Sequence, residues 1–176
     1  MMRRKLVLAG LVLVTFLLQS TVFKALSIAS VSPNLLLILT VSFGLMCGKR
    51  IGMYTGFLSG LMIDLFYGNL FGFNALVYMW VGFLNGFLYK VFFDEDIKVP
   101  MALVTVSDLA YGCVIYGLQF MLRGRLNFPG YLGHVIIPEM VYTVVMTLIF
   151  YRLFYRINCQ LSEYEVEGQR SPWLRR

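Results

Sequence analysis

From Cys47 the sequence reads CGKRIGMYTGFLSGLMIDLFYGNLFG, and a glycine or a carboxylate recurs at every fourth position: Gly48, Gly52, Gly56, Gly60, Asp64, Gly68 and Gly72. Positions four apart lie almost above one another on an α-helix, so the row makes one smooth, slightly slanting groove. In water each glycine would cost a helix about 1 kcal/mol relative to alanine. In a bilayer the same row lets a second helix approach until van der Waals and Cα–H···O contacts hold the pair. The row predicts a membrane helix over residues 50–67 onto which other helices dock, with Asp64 the one charge on its small-residue face.

The rest of the chain fits a bilayer. Of 176 residues 59% are hydrophobic and 14% charged, and the mean hydropathy is +0.76. Soluble domains average about 25% charged residues, so this composition indicates an integral membrane protein. At roughly 20 residues per span, the length suits one all-α bundle of six transmembrane helices over residues 1–156, followed by a polar cytoplasmic tail over 157–176. The net charge of +6 would suggest nucleic acid in a soluble chain. Here positive charge gathers in cytoplasmic loops, and no nucleic-acid partner is expected. Cys47, Cys113 and Cys159 are odd in number and widely spaced, and read as packing residues or free thiols rather than a disulfide or metal set.

A basic start, Arg3-Arg4-Lys5, precedes an apolar run over residues 6–23. The run is longer than the usual signal-peptide core of about 7–15 residues, and Gln19, Ser20 and Thr21 give it groups to bond other helices, so a retained first span is expected. Ser32-Pro33 opens the second helix, proline suiting the first helical position and serine the cap; it runs to Cys47. Lys49-Arg50 form an inner loop before the glycine helix, and Gly68-Asn69 turn the chain outside. A fourth helix covers residues 70–92, where GFLNG (82–86) echoes GFLSG (56–60). A fifth covers 100–121 and a sixth 132–155, kinked at Pro138 because proline lacks an N–H and clashes with the preceding turn. The tail is expected to be loose. With both termini inside, only Lys24, Arg123 and Arg125 of the 15 Lys and Arg lie outside, which is a firm orientation signal.

Asp64, Asp108 and Glu139 are the acidic residues within spans. A bilayer-centre charge costs at least about 2.5–3.5 kcal/mol on insertion scales, so each should face the bundle and find partners. By position Asp64, Glu139 and His134 gather in the outer half with Asn74 and Gln19, and Arg123 or Arg125 folds in from above; Asp108 lies deeper. The group is either a polar pocket or partner-docking site, or a network that only fixes helix order. No metal spacing, nucleophile elbow or phosphate loop occurs, so neither a cofactor nor an enzyme is indicated. Ser59 with Asp64, and Ser107 with Asp108, are poorly placed on their helical faces for joint work. No pore-lining polar row repeats along one span.

Taken in order, Leu18-Gln19-Ser20-Thr21, then Pro33-Asn34-Leu35-Leu36-Leu37, then Gly52-x3-Gly56-Phe57-x2-Gly60-Leu61-x2-Asp64-Leu65 and Gly68-x3-Gly72 resemble the bacterial rod shape-determining protein MreD family. The specific part spans roughly residues 15–90. The resemblance implies a small, non-catalytic inner-membrane protein of the cell-elongation machinery that binds MreC, and through it supports the glycosyltransferase RodA and its transpeptidase in register with MreB filaments. It also implies a bundle similar to the substrate-binding subunits of energy-coupling-factor transporters, which is an analogy of fold and does not fix function. The groove of Gly52, Gly56, Gly60, Asp64, Gly68 and Gly72 is then either a seat for a partner's span or a packing face filled by the protein's own fourth or sixth helix. An alternative function is a small-molecule binding subunit of such a transporter, gripping its ligand with Asp64, Glu139, Asn74 and Asn85.

Overall fold

The computed structural model of the chain describes residues 2–25, 32–67, 71–90, 98–123 and 136–170. Among these the helices are α1 (Met2–Ala25), α2 (Leu35–Cys47), α3 (Lys49–Tyr67), α4 (Phe73–Phe87, prolonged by a 3-10 turn over Leu88–Lys90), α5 (Lys98–Arg123) and α6 (Ile137–Arg170). The loop carrying Asp94, Glu95 and Asp96 lies outside the described residues, as do Gly68, Asn69, Arg125 and His134.

The bundle is built round α2. Its sequence LLLILTVSFGLMC is apolar on every side, and every residue from Leu35 to Met46 is buried. A helix without a polar face has to be surrounded, and α1, α3, α4, α5 and α6 all contact it. Its two hydroxyls cost nothing in these surroundings, because Thr40 donates to Leu36 O (2.8 Å) and Ser42 to Ile38 O (2.6 Å). Phe43 packs on Phe154 of α6, ring centroids 6.1 Å apart.

The connection from α2 to α3 is shorter than a Lys49-Arg50 loop. Both residues already belong to α3, and Gly48 alone breaks the helix, at φ +81°. That backbone conformation favours glycine. The amide of Gly48 closes α2 on Gly44 O and its carbonyl opens α3 by accepting from Gly52 N, both at 2.9 Å.

The glycine face of α3 is filled by α4. A Cβ on Gly52, Gly56 or Gly60 would come within 3.0 Å of backbone atoms of Gly82, Tyr78 and Asn74 respectively. These partners step back by four as the glycines step forward by four, so the helices are antiparallel and in register along the row. The contact is reciprocal, since a Cβ on Gly82 or Gly86 would strike the backbone of Gly52 or Lys49. The shared GFLxG device is thus two faces of one interface, and Gly44 of α2 joins it at Gly82 O. Gly72 has another role. It is the N-cap of α4 at φ +90° and a Cβ there would meet nothing within 4 Å.

Three helices have the length and composition to cross a membrane, over Arg4–Phe23, Lys98–Gly117 and Ile137–Ser162. α2 and α4 have 13 and 15 residues, fewer than the roughly 20 a span needs. Among the described residues there are thus six helices, three of them with the length and apolarity of a span. Sequence hydropathy treats every apolar run alike, whereas α2 is apolar because protein encloses it.

Pro138 directly follows Ile137, where α6 begins as described, and residues 132–135, on which the expected kink depends, lie outside the described residues. One further correction concerns α6. The tail expected to be loose is helical to Arg170. Gln160, Leu161, Glu163, Glu165 and Glu167 are good helix formers, and no proline occurs between Pro138 and Pro172.

Candidate functional site

Where α2, α4 and α6 begin, the fold faces a shared problem. The first N–H groups of a helix have no intrahelical acceptor, and apolar surroundings supply no water. α2 solves it with two side chains. Asn34, its N-cap, accepts from Leu37 N through Oδ1 (3.2 Å), and Gln19 of α1 accepts from Leu36 N (3.1 Å). The cap is therefore Asn34 rather than Ser32, and the helix starts two residues beyond Pro33.

α4 solves it with a residue from its partner. Gly72 has no side chain to offer, and the carboxylate of Asp64 reaches across from α3. It accepts from Asn74 N (3.1 Å) and Asn74 Nδ2 (2.8 Å) on Oδ1, and from Ala75 N (2.9 Å) on Oδ2. These amides are where a helix's own N-cap side chain would bond, and a negative charge there also complements the helix dipole. The one acidic member of the glycine row thus ends the close α3–α4 contact by capping the helix that fills it.

Two polar networks continue inward. In the first, Tyr78 OH donates to Asn34 Oδ1 (2.7 Å), Asn34 N donates to Thr143 Oγ1 (3.1 Å), and Asp108 lies beside the side chains of Asn34 and Thr143. α2, α4, α5 and α6 meet there. Asp108 Oδ1 is buried without a hydrogen-bond partner among the described residues. In the second, Tyr111 OH donates to Asn74 Oδ1 (3.0 Å), and Asn74 leads to Asp64. The rings of Tyr78 and Tyr111 join the two networks edge to face at 5.1 Å.

Between these networks and α1 lies a cavity of about 530 Å³, open on one side, to which α1, α3, α4, α5 and α6 and the segment before α2 all contribute. Glu139, in the first turn of α6, lines it, as do Gln19, Asn34, Tyr78 and Tyr111.

The structure therefore brings Gln19, Asn74, Asp64, Asp108 and Glu139 to one end of the bundle. His134 and Arg125 lie outside the described residues, as does the side chain of Arg123. Asp108, in the middle of α5, joins the group beside Asn34 and Thr143. α2 is short and its inner end is fixed at Gly48, so its capped end reaches only the middle of α5. Asn85 is not with the cavity residues; its Nδ2 donates to Val81 O (2.9 Å) and Ser107 Oγ (3.0 Å), tying α4 to α5. Gly52, Gly56 and Gly60 offer no open seat, because α4 occupies their face.

Sequence reasoning missed Tyr78, Tyr111 and Thr143, since aromatic residues near helix ends read as interfacial anchors and an isolated threonine carries no pattern. Asn34 had a signal, an Asn directly before a long apolar run. At the opposite end, Arg4 Nη2 bonds Asn158 Oδ1 (2.8 Å) and Cys47 Sγ (2.9 Å), joining α1, α2 and α6; nothing in the sequence pairs these three.

The fold defines an α-helical membrane protein whose polar groups are spent mainly on joining its helices. More particularly, the chain belongs to the rod shape-determining protein MreD family, whose sequence profile matches residues 2–158. That family belongs to the cell-shape-determining system and is not a known enzyme family. No curated protein and no solved structure gives a significant match to the chain, so the expected likeness to energy-coupling-factor subunits gains no support.

Proposed function

We propose that this protein is a non-catalytic scaffold of the bacterial cell-elongation complex, multi-pass in the inner membrane with both termini cytoplasmic. It binds MreC through its helix faces and so supports RodA, its transpeptidase and MreB-guided wall synthesis. The observation that carries the reading is the family match over residues 2–158. The architecture supports it. Soluble domains are not part of the described bundle, so partners have helix faces and short connections to engage. With the α3 face closed by α4, the exposed apolar faces of α1 (Leu13, Val14, Leu17) and α6 (Val141, Val145, Leu148) are what a partner's span would meet. Depletion in a rod-shaped host is expected to round the cells, and a plasmid copy to restore rods; rods that persist through depletion would overturn the reading.

The cavity favours a second reading, a small-molecule binding subunit that works with a separate ATPase module. Ligand-induced thermal stabilisation of the purified protein, together with unchanged cell shape on depletion, would favour it over the scaffold.

A further inference from the structure

The cavity has a chemistry that neither wall-complex membership nor helix packing requires. Its acidic wall is Glu139. A further carboxylate stands behind the lining, since Asp64 bonds Asn74, which in turn accepts from Tyr111. Among the described lining residues there is no Lys, Arg or His. The rest of the wall is strongly aromatic and comes in two touching pairs. Phe16 of α1 meets Tyr67 of α3 with centroids 6.1 Å apart, and Tyr78 meets Tyr111 at 5.1 Å.

The Tyr78 and Tyr111 hydroxyls are committed to Asn34 and Asn74. Those rings are therefore fixed in place before any ligand arrives; Tyr78 is fully buried and backs Tyr111, whose ring, not its hydroxyl, is what it has left to offer. Ring faces carry negative potential and attract cations, most strongly cations with a weak hydration shell. A carboxylate beside aromatic walls in a partly enclosed site suits an organic ammonium group better than a neutral molecule, which leaves Glu139 unpaired. The volume of about 530 Å³ is within the range for a small organic ligand.

We propose that this cavity binds an organic ammonium group, with Glu139 as its counter-charge and Phe16, Tyr67 and Tyr111 as its aromatic walls. The group belongs either to a free small amine or to an ammonium-bearing lipid headgroup, which reaches the cavity through its open side. The inference is independent of the scaffold reading, because it concerns what the isolated protein binds.

The test is calorimetric titration of the purified full chain in phosphatidylglycerol nanodiscs. The probes are choline and its uncharged carbon isostere 3,3-dimethylbutan-1-ol. Choline is expected to bind and the isostere to bind at least about tenfold more weakly. Glu139→Gln should weaken choline by about tenfold. Tyr67→Leu serves as the second variant, because Tyr67 is more than half exposed and its side chain is not among those bonded in the Asn34 and Asn74 networks. It should weaken choline about threefold at an unchanged melting temperature. Repeating the titration in phosphatidylethanolamine nanodiscs separates the sources. Weaker apparent choline affinity there assigns the site to a lipid headgroup, and equal affinity assigns it to a free amine. Absence of choline binding in phosphatidylglycerol, equal binding of the isostere, or indifference to both substitutions overturns the proposal.

Discussion

Asp64 gives the sharpest test of how the bundle is held. Replacing it by leucine removes the acceptor of two backbone amides, Asn74 N and Ala75 N, and of Asn74 Nδ2. Each buried amide left unsatisfied costs about 1–3 kcal/mol, and loss of a cap at a helix N-terminus costs about 1 kcal/mol. The easier burial of leucine offsets part of this, leaving a net loss of about 3 kcal/mol. For a chain of this size that is a fall in melting temperature of roughly 6–12 °C. Asp64→Asn keeps one side-chain oxygen on the same amides. It should cost about 1 kcal/mol, roughly 2–4 °C. Thermal unfolding in detergent, followed by the fluorescence of Trp80 in α4, reads both. If the leucine variant melts within about 2 °C of the parent, the carboxylate does not hold α4. If asparagine costs as much as leucine, charge rather than capping is what matters, and the capping argument fails.

Three other outcomes follow from the same geometry. Gly56→Leu must push α4 off the Tyr78 backbone and should cost about 3 kcal/mol or more, whereas Gly10→Leu, where a Cβ meets nothing within 4 Å, should stay within about 0.5 kcal/mol of the parent; the melting temperatures of the pair decide. Asn34→Leu strands both Tyr78 OH and Leu37 N–H and should cost about 2–4 kcal/mol, with Tyr78→Phe adding little on top in a double-mutant cycle. Arg4→Ala and Asn158→Leu break the same bond, so their effects on melting should fall short of additive by about 1 kcal/mol.

The sequence revealed the helices more fully than it revealed their surroundings. Apolar runs and turn residues marked the bounds of the first five helices to within a few residues, but not the end of α6, which runs on to Arg170. Hydropathy could not say that α2 is enclosed by protein while α1 and α6 face outward, because lipid and protein interior demand the same side chains. The glycine row gave a close-packing face. Which helix fills it emerged only from the register that sets Gly52 against Gly82 and Gly60 against Asn74. At the candidate site the acids were visible because charge is rare and costly in such a chain. Tyr78, Tyr111 and Thr143 were not, since each matters through a long-range contact that no local spacing encodes. Asp64 was legible as a charge on the groove. Its service to α4 was hidden because the helix it caps begins beyond a turn and carries only Gly72 at its own cap position.

The central claim, membership of the wall-elongation complex as a scaffold, is tested most directly by mild-detergent capture of the protein from native membranes, followed by mass spectrometry of what accompanies it. A scaffold is expected to bring down MreC together with the elongation glycosyltransferase and transpeptidase. Recovery of an ATPase pair with an energy-coupling subunit, and none of the wall enzymes, would contradict it.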